Sequence, residues 1–85
     1  MRLPVIKHIN GFIAENDVDY VHETIDFLEH LAQARGLKDE ELDVIGEVLS
    51  NAYGALEVQK AMADGQSEKE ALNGFMQRVT GSIDT

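Results

Sequence analysis

From Asp39 to Asp64 the chain reads DEELDVIGEVLSNAYGALEVQKAMAD, a run without proline in which apolar residues return at helical spacing. Placed at about 100° per residue, Leu42, Ile45, Leu49, Ala52, Tyr53, Leu56 and Ala63 form one stripe. Val44, Val48, Ala55, Val58 and Met62 form a second. Together they span about 220°, whereas a helix resting on one neighbour needs little more than about 100° of apolar face. Such a rod must meet protein on two or three sides. Asp43, Gly46, Glu47, Ser50, Gly54 and Glu57 fill the remaining wedge, which reads as the solvent side.

Two features interrupt this helix. Gly46 and Gly54 each cost about 1 kcal/mol relative to alanine in an exposed helix interior. They lie in or beside the polar wedge, where they either admit a second backbone or are merely tolerated. Asn51 falls in the second stripe, between Val48 and Ala55. A buried amide needs hydrogen-bond partners. It either fixes the register or oligomeric state of packed helices, or sits at the stripe's edge and reaches water or a nearby carbonyl.

Three shorter helices are predicted around the rod. Pro4 suits a helix start, where its missing N–H has no intrahelical acceptor, and the first helix spans 4–15. Val5, Ile6, Ile9, Phe12 and Ile13 form its apolar face, with His8 at the edge. The second spans 17–35, capped within Asn16-Asp17-Val18-Asp19 and stopped by Gly36. Its apolar arc of about 200° includes Val18, Tyr20, Val21, Ile25, Phe27, Leu28 and Leu31. The long helix spans 39–64, with Asp39 as its cap and Gly65 beyond its end. Ser67-Glu68-Lys69-Glu70 is a capping box that opens the last helix, 68–80. Ala71, Leu72, Phe75, Met76 and Val79 form its face, and Gly81 is expected to end it.

No run alternates with period two, and no Asn-Gly or Asp-Gly pair joins β-rich segments. The fold class is therefore all-α, with four helices in a small bundle around a long third helix. At 85 residues the chain makes a single domain, 1–85, with a modest core. Either the short first and last helices cover opposite ends of the rod, or a second copy covers what they leave exposed. The wide arcs on helices two and three favour the second. A homodimer is expected, burying part of Val44, Val48, Asn51, Ala55 and Val58 across a two-fold axis.

Charge narrows the choice of partner. The formal balance is −9, and residues 17–47 hold ten Asp or Glu against Arg35 and Lys38, a local −8. Such a field repels phosphate backbones and anionic lipid, so neither nucleic acid nor membrane is expected as a partner. A basic protein partner is compatible, with Asp26, Glu29, Asp43 and Glu47 as its contacts. The chain has no cysteine, which excludes disulfides, thiolate nucleophiles and cysteine-based zinc sites. With no signal peptide and no run of about 18 apolar residues, a cytoplasmic protein is expected.

One constellation carries ligand chemistry. His22, Asp26 and His30 repeat at i, i+4, i+8, and imidazole with carboxylate on one helical face can chelate a divalent metal. The three span two turns, too far for one ion to reach easily, and neither HExxH nor paired ExxH is present. A solvated face with loose His–carboxylate pairs explains the same letters. Calcium loops starting at Asp17 or Asp39 lack glycine at the sixth place. Ser50, Ser67 and Ser82 have no histidine nearby in sequence, and no glycine-rich phosphate loop exists. Acyl carrier proteins share the size and acidity, but Ser67 stands in Gln-Ser-Glu rather than in their Asp-Ser-Leu motif. No enzyme activity and no cofactor are expected.

The segments LPVIKH, LKDEELDVIGEVLSNAYGALEV and KEALNGFMQRVTGSID resemble a family of small bacterial proteins of unknown function, over nearly the full length. The resemblance implies an all-helical fold and carries no activity, cofactor or catalytic residue. The residues favour a protein–protein interaction module acting as a homodimer. The alternative is a domain binding a divalent metal or a small ligand at His22, Asp26 and His30.

Overall fold

The computed structural model describes the backbone of residues 2–84 and the side chains of residues 2–79. Four helices follow one another: α1, Leu3–Glu15; α2, Asp19–Leu31; α3, Asp39–Ala63; and α4, Glu68–Asp84. No strand occurs among the described residues. The α3 helix is one unbroken rod of 25 residues, about 37 Å long at the usual rise. The other three helices all pack on it, and α1 also touches α4.

The ends of the helices follow local chemistry. Beyond Asp64, the Gly65 N–H donates to the Met62 carbonyl and the Gln66 N–H to that of Ala61. With Gly65 at φ +110, this is the Schellman pattern that glycine makes possible after a helix end. At the start of α4 both bonds of the capping box form. The Glu70 N–H donates to Ser67 Oγ, and the Ser67 N–H donates to the Glu70 carboxylate, each at 3.1 Å. At the start of α3 the cap is Lys38, not Asp39. The Glu41 carboxylate accepts the Lys38 N–H at 2.8 Å, and the acids Asp39, Glu40 and Glu41 sit at the positive end of the helix dipole.

The α2 helix starts at Asp19, two residues after the expected 17, and two boundaries differ from the sequence reading by four residues. The α2 helix stops at Leu31, four residues before Arg35. There the ladder gives way to tight i→i−3 bonds, from Gln33 to His30 and from Ala34 to Leu31. Gln33, Ala34 and Arg35 are exposed, so another helical turn would bury nothing, and packing supplies most of a short helix's stability. Gly36, at φ +90, then turns the chain toward α3. At the other end of the protein, α4 passes through Gly81 to Asp84. Glycine penalises a helix interior without forbidding it.

The core joins Ile6 and Ile13 of α1, Val21 and Ile25 of α2, Ala52, Ala55 and Val58 of α3, and Ala71, Leu72 and Phe75 of α4. Gly54 lies at its centre rather than on the solvent wedge. A Cβ there would stand 3.0 Å from both the Ile6 Cδ1 atom and the Phe75 ring. What approaches Gly54 is thus a pair of side chains, one from α1 and one from α4. Gly46, by contrast, faces open space.

Two buried amides complete the interior. Asn51 accepts the Arg2 N–H at 2.9 Å and donates to the Glu47 carbonyl at 2.8 Å. Asn10 accepts a 3.3 Å bond from the Gln59 side chain. Its position follows from spacing, since it stands four after Ile6 and three before Ile13 on the buried face of α1.

Candidate interaction surface

The apolar side chains that the four helices leave uncovered lie mostly on α2 and α3. Tyr20 and Phe27 of α2 are exposed, as are Val44 and Val48 of α3 and Phe12 of α1. Tyr20, Thr24 and Phe27 follow i, i+4, i+7 spacing and so share one flank of α2. Val44 and Val48 stand one turn apart on α3. The sequence pattern assigned Phe12, Tyr20 and Phe27 to packed stripes. Their helices turn Ile13, Val21 and Ile25 into the core instead, which leaves the three aromatics at its margin.

Phe12, Tyr20 and Val48 border a groove of about 370 Å³, walled by Ile9 and Phe12 of α1, Tyr20 and Thr24 of α2, and Val48 and Ala52 of α3, with His8 beside it. The Phe12 and Tyr20 rings meet edge to face, 5.9 Å apart at 84°, the geometry that aromatic quadrupoles favour. The Thr24 hydroxyl donates to the Tyr20 carbonyl at 2.7 Å. That bond occupies its donor and leaves the wall on this side largely apolar. Among the described residues no carboxylate lines the groove.

Carboxylates stand on other faces of the same two helices. Asp26, Glu29, Asp43 and Glu47 are all exposed. Two of them are engaged within the chain. The Tyr53 hydroxyl donates to the Glu29 carboxylate, and this bond first, with burial and the charges of Glu29 and Asp26 behind it, pushes the Tyr53 pKa up. The Glu47 carboxylate lies 3.6 Å from the Arg2 guanidinium, an exposed pair worth little on its own. Tyr53 itself is half-exposed rather than packed within its stripe.

A family model described as "Family of unknown function (DUF6952)" matches residues 1–84. The chain belongs to this family. No curated protein and no solved structure matches it. The full-length family resemblance and the four-helix architecture read from the sequence both hold for this DUF6952 chain.

The residues singled out from the sequence divide into separate groups on the DUF6952 fold. Val44 and Val48 are exposed, whereas Ala55 and Val58 have no exposed surface and Asn51 is buried beneath the start of α1. Of the five residues expected at a two-fold contact, Val44 and Val48 are the two with exposed side chains. His22, Asp26 and His30 are exposed on α2. Among the described residues, no three His, Asp or Glu side chains are grouped to hold a metal ion. Among those residues, too, no helix is long and apolar enough to cross a membrane.

A signal for the missed aromatics was present in the sequence. The apolar arc of α2 was as much too wide for one neighbour as that of α3, and Tyr20 and Phe27 mark its outer edge. Width alone, however, does not say which edge stays uncovered.

Proposed function

We propose that this DUF6952 chain is a non-enzymatic protein–protein interaction module that works as a homodimer. The observation that carries the reading is the exposure of Tyr20, Phe27, Val44 and Val48 on α2 and α3, with an apolar groove walled in part by Tyr20 and Val48. Large apolar side chains left exposed beside an apolar groove on a small domain point to an interaction site. The exposed carboxylates of Asp26 and Asp43 remain available to a basic protein partner, and the overall charge of −9 disfavours nucleic acid.

Sedimentation equilibrium tests the dimer directly. Twice the chain mass at high micromolar concentration is the expected result, and a single-chain mass there removes it. A basic partner is tested separately, since its retention on the immobilised protein must fall as salt rises.

A further inference from the structure

We infer that the groove bounded by Phe12, Tyr20 and Val48 is filled by Phe27 of a second copy, in an isologous pair with one such insertion on each side of the two-fold axis. The inference rests on the dimeric reading above and specifies how the two copies meet.

The first support is area. The chain exposes 6119 Å². A folded monomer of its 9.4 kDa mass exposes about 5,000 Å² by the usual scaling. The excess is about 1,100 Å², and a stable interface hides about 800 Å² on each partner. Shape gives the same indication. The Cα trace measures 43 × 36 × 17 Å, a flat slab whose broad faces contribute the surplus. Its radius of gyration is 13.9 Å, against about 11.9 Å for a compact chain of this length. A second slab laid against the apolar face removes that surplus.

The second support is the placement of knob and hole. Among the described residues Phe27 is the most exposed large apolar side chain, at 64%. It sits on the same flank of α2 as Tyr20 and Thr24, which wall the groove. An isologous contact requires both complementary features on one patch, so that each copy gives and receives the same residue. Were they on opposite faces, insertion would propagate into a filament instead of closing.

The third support is chemical. The walls offer apolar groups and the rings of Phe12 and Tyr20, with no carboxylate among the described lining residues. A third ring suits such a site, whereas a basic side chain finds no counter-charge there. The acids of α2 and α3 stand outside the groove, and closing the pair brings like charges of the two copies nearer. Salt must therefore tighten this association, the opposite of its effect on a basic partner.

The test is sedimentation equilibrium on the full chain from low to several hundred micromolar, at low and high salt, for the wild type, Phe27→Ala, Val48→Asp and His22→Ala. Circular dichroism checks that each variant keeps its helices. The expected result is a wild-type dimer that tightens with salt. Phe27→Ala should weaken it at least about 30-fold, the range of an interface hot spot. Val48→Asp should leave a monomer, and His22→Ala should match the wild type. A dimer that Phe27→Ala leaves as tight as the wild type overturns the insertion, whatever Val48→Asp does, and leaves the dimeric reading standing. A wild type that stays monomeric at several hundred micromolar overturns both.

Discussion

The side-chain oxygen of Asn51 accepts the backbone N–H of Arg2 at 2.9 Å, across 49 positions of sequence. Arg2 caps α1, and the first N–H groups of a helix have no acceptor within it. Asn51 thus fixes the start of α1 against the middle of α3. Its own N–H is satisfied by the Glu47 carbonyl one turn back. The buried amide in the apolar stripe is used inside the chain, so a partner is not needed to satisfy it.

Replacing Asn51 should separate the two bonds. Asn51→Ala loses both, and because Arg2 is exposed to water the expected cost is about 1–2 kcal/mol. Asn51→Asp retains the acceptor but turns a carboxylate oxygen toward the Glu47 carbonyl in a buried place. It should cost more than the alanine variant at neutral pH and recover part of the loss as pH falls. Urea unfolding of both variants at two pH values checks the order. An aspartate variant as stable as the wild type at neutral pH would refute this account.

The two glycines of α3 should respond in opposite directions. Gly46 faces open space, so Gly46→Ala gains the helix propensity of alanine, up to about 1 kcal/mol. Gly54→Ala gains the same propensity but drives a methyl to 3.0 Å from Ile6 and Phe75. Overpacking a close-packed site costs about 1–3 kcal/mol, which cancels or exceeds the gain. Thermal melts should place Gly54→Ala below Gly46→Ala by at least 1 kcal/mol, on the order of the lower overpacking cost. Adding Ile6→Val, which removes the nearest methyl, should narrow the gap. Equal melting of the two alanine variants would show that the seat at Gly54 is looser than its distances imply.

These positions also show what the amino-acid order conveys. Ser67 and Glu70 are three apart, so their mutual capping is a local event and was legible. The same holds for the stop at Gly65 and for the unbroken α3. Spacing likewise identified Ile6, Val21, Ile25 and Phe75 as inward-facing. It did not show that Gly54 is covered, or that Ala55 and Val58 are buried within the chain while Val44 and Val48 are not, because that depends on where α1 and α4 cross α3. Asn51 finds Arg2, and Asn10 finds Gln59, each across 49 positions. A wheel drawn for one helix contains neither partner. The candidate surface was legible in its α3 half alone, through Val44 and Val48.

The capping box at the start of α4 gives the protein an acid-side pH dependence. The Ser67 N–H first, and the Ser67 hydroxyl second, hold the Glu70 carboxyl below its ordinary pKa. A carboxyl lowered in the folded state stabilises it fully above the unfolded value, about 4.3. That contribution is lost as pH falls through the folded value. Glu70→Gln should therefore flatten the acid limb of a stability–pH curve and leave the alkaline limb alone. Ser67→Ala should cost about 1 kcal/mol at neutral pH through the lost cap. Guanidinium unfolding between mildly acidic and neutral pH measures both effects. An unchanged acid limb in Glu70→Gln would mean that the box contributes nothing in solution.

On the alkaline side the responsive pair is Tyr53 and Glu29. The phenol donates to the carboxylate, and removing its proton would place a second negative charge beside Glu29 and near Asp26. The folded chain therefore holds this proton more tightly than the unfolded chain, whose tyrosines titrate near about 10. A pKa raised by folding contributes stability that is complete below the unfolded value and is lost as pH climbs through the folded one. Tyr20 has no such partner among the described hydrogen bonds, so an ultraviolet titration of the Tyr20→Phe variant isolates the phenol of Tyr53. Its midpoint should lie above that of the unfolded chain and return toward it in Glu29→Gln, where the charge is gone and an acceptor oxygen remains. Since His22→Ala touches neither residue, it should leave the midpoint in place. A Tyr53 phenol that titrates at the unfolded value would show that α2 and α3 are not joined through this bond in solution.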